Sequence, residues 1–525
     1  MAYGNRAWSG RTTVAKEPRP VISGFYPDPS VVRAGTDFYL ATSSFEYFPA
    51  VPIFHSTNLI DWTQIGHALD RVSQVDVASA RASGGIYAPT IRHHAGRFWM
   101  ITTNVSDDKG QILVSATDPA GPWSNPVRIP GVAGIDPDLA WDDAGRFLVT
   151  FATADADANA DAASTSSIIR QVEVDPSTGD TRGDPIELWQ GTGRQFPEGP
   201  HLYRANGYWY LLLAEGGTER GHSVVIARGA APQGPFEPNP AGAILTRRGH
   251  GGSLQNTGHA DLVQRADGSW AIVFLGVRVR GVSPGFHGLG RETFAAEVQW
   301  HGGWPVVGEL LEPSASSTST VVKEDTDFAG RLGYEWVASG PGCASPVAAV
   351  GDGSLLLNSA DYHDVFLGRR QEHLYADATV SIEAGGGRGA LVLRLDPSHE
   401  YLVEVSSASV AAVSQVGAVR AVFVKKKRTA NWPRSTHGAT NLEVYVAVVP
   451  VTSTSGAPEC VTLGYVDNGV RVELARLDGR YLSTEVAGGF TGRLFGVVSV
   501  SGHPAFSHFR YRGSDDPAAL AAASL

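Results

Sequence analysis

The chain predicts an all-β protein, a five-bladed β-propeller followed by a C-terminal β-sandwich. Three observations carry that prediction. The first is composition: 61 glycines, 9% aromatics and only 18% charged residues suit many short strands joined by turns. The second is a repeat. Five aromatic-rich segments each open on a glycine turn: Gly35-TDFYLATSS, Gly96-RFWMITTN, Gly145-RFLVTFAT, Gly207-YWYLLLAE and Gly268-SWAIVFLG. Their glycines are spaced by 61, 49, 62 and 61 residues, a period that signals radially repeated sheets, since one blade alone cannot bury its faces. The third is the loss of this period after a Ser/Thr-rich stretch. Beyond it, short alternating segments follow one another between Gly, Pro and Asn turns.

These signals place the propeller at residues 20–312. Within it, His55-STNLIDW, Ser115-ATDPAGPW and Ala227-RGAAPQGPF set Trp62, Trp123 and Phe236 after polar turns, and read as outer strands sealed to the next blade. Residues 313–327, PSASSTSTVVKEDTD, read as a linker. The sandwich follows at 328–513, with strands expected at Ala390-LVLRL, Tyr401-LVEVS, Val419-RAVFV, Leu442-EVYVAVV and Val470-RVELARL. Residues 514–525 read as a frayed tail or a poorly packed helix.

The formal net charge of −11 argues against a nucleic-acid partner. No stretch approaches membrane-span length, and the first twenty residues lack the apolar core of a secretion signal. With Cys343 and Cys460 read as free thiols, the expected location is cytoplasmic.

The repeat also carries chemistry. Nine positions before the last four turn glycines stand Tyr87, Asp136, Glu198 and His259, and seven before the first stands Asp28. One position in every blade lies at one distance from the axis, so these side chains should converge at the hub. Cleaving a glycosidic bond takes two carboxyl groups on opposite sides of the sugar, one to protonate the leaving oxygen and one to act on water or attack. Asp28 and Glu198 both stand between prolines, in Tyr26-PDPS and Phe196-PEGPHLY, which stiffens their backbones. The longer glutamate is the natural proton donor. Three crowded acids push their proton affinities apart, which lets one site hold both an acid and a base.

Three other signals are set aside. Asp155-ADANAD has alternate carboxylates, but Ala160 and Ser166 replace the glycine and glutamate of a calcium loop. Lys425-KKR reads as a protected strand edge and Gly385-GGRG as a turn.

Several segments together resemble glycoside hydrolase family 43, in its β-xylosidase branch. They are Gly24-FYPDPS, Ser43-SFEYFPAVPIFHS, Gly84-GIYAPTIR, Gly134-IDPDL, Glu198-GPHLY, Ala214-EGGTERGH, Thr257-GHADLVQ and Leu289-GRETF through Trp304-PVV, with Tyr481-LSTEVAGGFTG in the sandwich. The resemblance implies inversion. Asp28 would be the general base and Glu198 the general acid, their carboxyls roughly 6.5–9.5 Å apart. Asp136 would stay ionised, orienting Glu198 and raising its pKa. Arg291 would bind sugar hydroxyls, Phe45, Tyr87 and Ala88 would line the sugar, and Thr218 would supply a hydroxyl. Phe490 would reach over from the sandwich as a lid, making the enzyme exo-acting; a place in the sandwich core is the other reading of this residue. His259 would contact a central water or, through water, a divalent cation such as Ca2+; a plain hydrogen-bonded axial histidine stays open. No other cofactor is required.

The expected function is release of terminal D-xylose from β-1,4-xylooligosaccharides or arabinoxylooligosaccharides, with α-L-arabinofuranosidase side activity. The alternatives are a dedicated α-L-arabinofuranosidase and a non-catalytic carbohydrate-binding propeller. The resemblance is also compatible with a homo-oligomer, which no residue pattern here demonstrates.

Overall fold

A computed structural model describes residues 17–522, apart from 155–166, 315–319, 329, 352, 360, 362, 363, 386, 428–440 and 452–455. The Asp155-ADANAD segment, Arg428 of the basic run and Gly386 of the glycine turn therefore lie outside the described residues, as do 523–525 of the tail.

Five antiparallel sheets, each built from consecutive strands, span Ser30 to Leu311. Their first strands are Ser30–Ala34, Thr90–His94, Ile135–Trp141, Glu198–Ala205 and Leu254–Gln264, and neighbouring first strands touch one another at the hub. All five repeat glycines lie in the hairpin between first and second strands, with φ between 65° and 87°. In blade four the turn is Asn206-Gly207, with both residues at positive φ (49° and 83°), the geometry that matches strand twist in a tight hairpin. The repeat glycines are thus demanded by the turn. The segments ending in Trp62, Trp123 and Phe236 differ from expectation. They form the connections from third to fourth strands, because the Pro/Gly turns break the ladder and pairing resumes only after the aromatic.

The ring closes without exchanging a strand. Residue 22 bridges to Thr293 of blade five, and Ser30 Oγ and the Val31 amide both donate to Asp261. Asp261 belongs to a polar plug to which every blade contributes. Arg92 of blade two donates to Asp261 of blade five at 2.8 Å and to Asp138 of blade three at 2.7 Å. Ser30 of blade one and His201 of blade four complete it, with His201 Nδ1 lying 3.1 Å from Asp138. Both aspartates are fully buried. Burial pushes Asp261 upward, but Arg92 above all, then His201 and Tyr203, hold it at about 2.

Beyond the propeller, two sheets of eight and seven strands among the described residues form the sandwich. The expected linker is not all linker: Val322–Thr326 pairs in register with the last strand, Ala505–Ser514. Its alternating pattern lets it complete a sheet edge. The tail is likewise anchored. A helix at Pro517–Ala522 buries Leu520 beside Leu289, Leu374 and Tyr375, and Asp515 pairs with Arg278 of blade five. Lys425, Lys426 and Lys427 are exposed on the edge strand Val419–Lys427. The seven-stranded sheet packs its Phe366, Val392, Leu402 and Val498 against Phe25, Phe45 and Tyr47 of the propeller. The second domain therefore backs one wall of the hub.

The plug yields a stability prediction. Arg92→Met leaves two buried aspartates without their cation and should cost about 3–5 kcal/mol in chemical denaturation. A loss under about 1 kcal/mol would show that the plug does not hold the ring together.

Candidate active site

Three of the five hub residues lie in the left-handed region: Asp28 (φ 55°), Asp136 (φ 53°) and His259 (φ 43°). That conformation is costly for a residue with a Cβ and persists only where packing imposes it. In blades three and five it accompanies a break in the ladder, and blade four has a break at Glu198 without it. Pairing shifts around Asp136, between Glu198 and His201, and on both sides of Gly258, the second shift spanning His259. A bulge leaves a residue unpaired and re-aims its side chain, here toward the axis.

The result is one cavity of about 250 Å³. Asp28, Asp136, Glu198, Phe45, Tyr87, Ala88, Thr218, His259, Arg291 and Phe490 all line it, so every residue singled out from the sequence comes together. Ile135, Phe196 and Glu219 also line it and carried no signal of their own. A larger hollow of about 700 Å³ lies on the sandwich, but its Asp377 and Glu443 are tied up by Arg471, Arg510 and Arg512.

Asp28 accepts from Ser43 Oγ at 2.6 Å and from Arg291 Nη1 at 2.9 Å, and His259 Nδ1 lies 3.9 Å away. Burial works against its charge, yet Arg291, His259 and Ser43 outweigh it and hold the carboxyl below its ordinary value. Glu198 is less enclosed, its side chain 23% exposed toward the mouth. Burial, then the charge of Asp28, raises it to about 7, against the pull of Arg291. This pocket therefore holds an ionised carboxylate facing a carboxyl that keeps its proton near neutrality.

At Asp136, burial, then the charges of Glu198 and Asp28, push the carboxyl well above its usual value, while the Gly199 amide and Arg291 pull the other way. Each acid's charge disfavours the other's, so the ionisations of Asp136 and Glu198 are linked.

Arg291 ties the site together. Besides Asp28 it donates to Thr218 Oγ1 at 3.2 Å and to the Phe490 carbonyl at 3.4 Å, with its guanidinium over the rings of Phe45 and Phe490. Phe45, Tyr87 and Phe490 form an aromatic corner with ring centroids 5.4–6.0 Å apart. Phe490 is held from both sides of the opening. Its amide donates to Ser83 Oγ at 2.9 Å, and the preceding short helix is moored by Glu485 to the His287 amide and Nδ1. It is a lining residue rather than part of the sandwich core.

His259 was the candidate for contacting a central water or, through water, a calcium ion, and the donors around it leave the rest of such a shell to water. Calcium takes six to eight oxygens. Around His259, the oxygens of Asp28 already accept from Ser43 and Arg291, and those of Asp261 from Tyr203, Ser30, Val31 and Arg92. That leaves one imidazole as the protein's contribution. Burial lowers His259 to about 4, so its ring is neutral. Among the described residues, no group of three or more His, Cys, Asp or Glu side chains is placed to hold a metal.

One residue was missed. His222 ends the Ala214-EGGTERGH segment, and its Nε2 lies 4.0 Å from Glu198 Oε1. It falls outside the nine-residue register and arrives by a loop, so periodicity gave no sign of it.

Comparison with known proteins agrees with this geometry. The family model described as glycosyl hydrolases family 43 matches residues 18–305, and that of the beta xylosidase C-terminal concanavalin A-like domain matches 357–512. The chain is 34% identical over 522 residues to a non-reducing end alpha-L-arabinofuranosidase of Bacteroides ovatus, covering 94% of this chain and 93% of that one. It is 44% identical over 294 residues to a xylosidase/arabinosidase of Butyrivibrio fibrisolvens, covering 55% of this chain and 56% of that one. Among solved structures, the xylan beta-1,4-xylosidase from Bacillus halodurans aligns with a TM-score of 0.80 at 27% identity, over 95% of this chain and 100% of that one. The carboxyl-lined hub and the matched propeller point the same way: the chain is a glycoside hydrolase and belongs to glycosyl hydrolases family 43.

Proposed function

We propose that the enzyme removes terminal D-xylose from β-1,4-xylooligosaccharides with inversion, and acts on terminal α-L-arabinofuranosyl groups as a side activity. The observation that carries this reading is the pairing of a depressed Asp28 with a raised Glu198 in one small cavity, closed on one side by Phe490. A cavity of about 250 Å³ suits a terminal sugar better than the interior of a chain. The relatives named for xylosidase and arabinosidase activities support the pentose assignment.

In this reading Asp28, kept ionised by Arg291, takes a proton from water as its oxygen attacks C1. Glu198 gives its proton to the glycosidic oxygen as the C1–O bond breaks. Turnover leaves Asp28 protonated and Glu198 ionised, and exchange with solvent restores both. Glu198, raised to about 7, is the basic limb of the pH profile: activity needs its proton and falls as pH rises through that value. Arg291 and Thr218 would hold sugar hydroxyls, and Phe45 and Tyr87 the apolar ring face.

A second reading, a dedicated α-L-arabinofuranosidase, is favoured by the full-length similarity to the Bacteroides ovatus arabinofuranosidase. Side-by-side kcat/KM on an aryl β-D-xyloside and an aryl α-L-arabinofuranoside decides between them; the xyloside should be the faster. Glu198→Ala should lower kcat on xylobiose about 10²–10⁴-fold with unchanged folding, and full activity would remove Glu198 as the acid. Proton NMR of fresh hydrolysate should show α-xylose first; β-xylose first would exclude inversion.

A further inference from the structure

Acid catalysis by Glu198 needs the proton on Glu198 while Asp136 stays ionised, and two contacts favour that arrangement. On one side, the Gly199 amide donates to Asp136 Oδ2 at 3.2 Å. An N–H there stabilises the ionised carboxylate. On the other side stands His222, directly ahead of the strand Ser223–Gly229. Its ring is buried, and Nδ1 lies 3.0 Å from the Asn256 carbonyl oxygen. A carbonyl only accepts, so Nδ1 carries the hydrogen and Nε2 is left with a bare lone pair. That Nε2 is buried, has no hydrogen-bond partner and faces Glu198 Oε1 at 4.0 Å.

We propose that His222 is a positioning residue that keeps the proton on Glu198, its Nε2 accepting from the protonated carboxyl directly or through one water. The inference rests on reading Glu198 as the general acid. A lone pair repels an ionised carboxylate and attracts a carboxylic O–H, so it favours the protonated form and raises the affinity of Glu198 for its proton. The ring is neutral, since burial lowers it to about 3. It is also held in place: a Cβ on Gly258 would lie 2.2 Å from the His222 ring, so only glycine allows the blade-five bulge to support it. That bulge turns His259 into the cavity and cradles His222 at the same time. The other groups sharing the cavity with Glu198 are Asp28, Tyr87, Asp136, Glu219, His259 and Arg291.

The test is the basic limb of kcat/KM against pH on an aryl β-D-xyloside, for His222→Met and His222→Gln. Met fills the space without an acceptor, whereas Gln retains one. The Met variant should move the limb about one unit toward acid, a tenfold change in the acid constant. The Gln variant should keep the wild-type limb. An unmoved limb in the Met variant overturns the inference. Should either variant fail to fold, 15N NMR of the wild-type enzyme decides: an Nδ1-protonated ring whose Nε2 shift follows the titration of Glu198 supports it, and an Nε2-protonated ring overturns it. Glu198→Ala separates the two layers. If that variant keeps the wild-type limb, the reading of Glu198 as acid falls; if the limb vanishes there yet stays put in His222→Met, only the role of His222 falls.

Discussion

The Arg92 guanidinium, shared between Asp138 and Asp261, is the interaction on which the rest of the structure depends. Five blades meeting at a point leave a narrow channel that apolar side chains cannot fill without losing the inner strands' polar partners. Here the channel is filled by charge. Each blade contributes to a compensated network, blade four through both His201 and Tyr203, and the two buried aspartates are matched by Arg92 and by the donors around them. Breaking such a network costs far more than any exposed ion pair, because the partner left behind stays desolvated. The five-fold arrangement is thereby locked just beneath the residues that line the cavity.

Those residues inherit their placement from that lock. Two positions along the inner strands separate Asp136 from Asp138, and His259 from Asp261. The plug anchors the lower member of each pair, and the bulge turns the upper one into the cavity. Left-handed backbone at Asp28, Asp136 and His259 is strain that the ring below over-determines. The same crowding sets the chemistry. Three carboxyls in one small cavity oppose one another's ionisation; Arg291 stabilises the charge on Asp28, and the proton affinities of Asp136 and Glu198 rise.

The sandwich is part of the site and not an appendage. Its seven-stranded sheet supports Phe45 from behind, and its Phe490 closes the aromatic corner from the front. Contacts to Ser83, His287 and Arg291 fix that closure to three separate propeller segments. The strand Val322–Thr326 closes the sandwich's own sheet, while Leu520 beside Leu289 and the Asp515–Arg278 pair join the domain's C-terminal end to the propeller.

The chain order of residues by itself determined the blade count, the hub register and the three acids. A turn that needs glycine and an inner position that faces the axis repeat at a fixed spacing, and spacing is legible in one dimension. The edge strand at Val322–Thr326 was hidden because a Ser/Thr-rich stretch reads as linker until a partner strand is known. His222 and the ionisation of Asp136 were decided only in three dimensions. His222 reaches Glu198 through a loop and an Asn256 carbonyl from the next blade. The proton affinities of Asp136 and Glu198 depend on burial and on charges brought from different blades, quantities that exist only once the ring has closed.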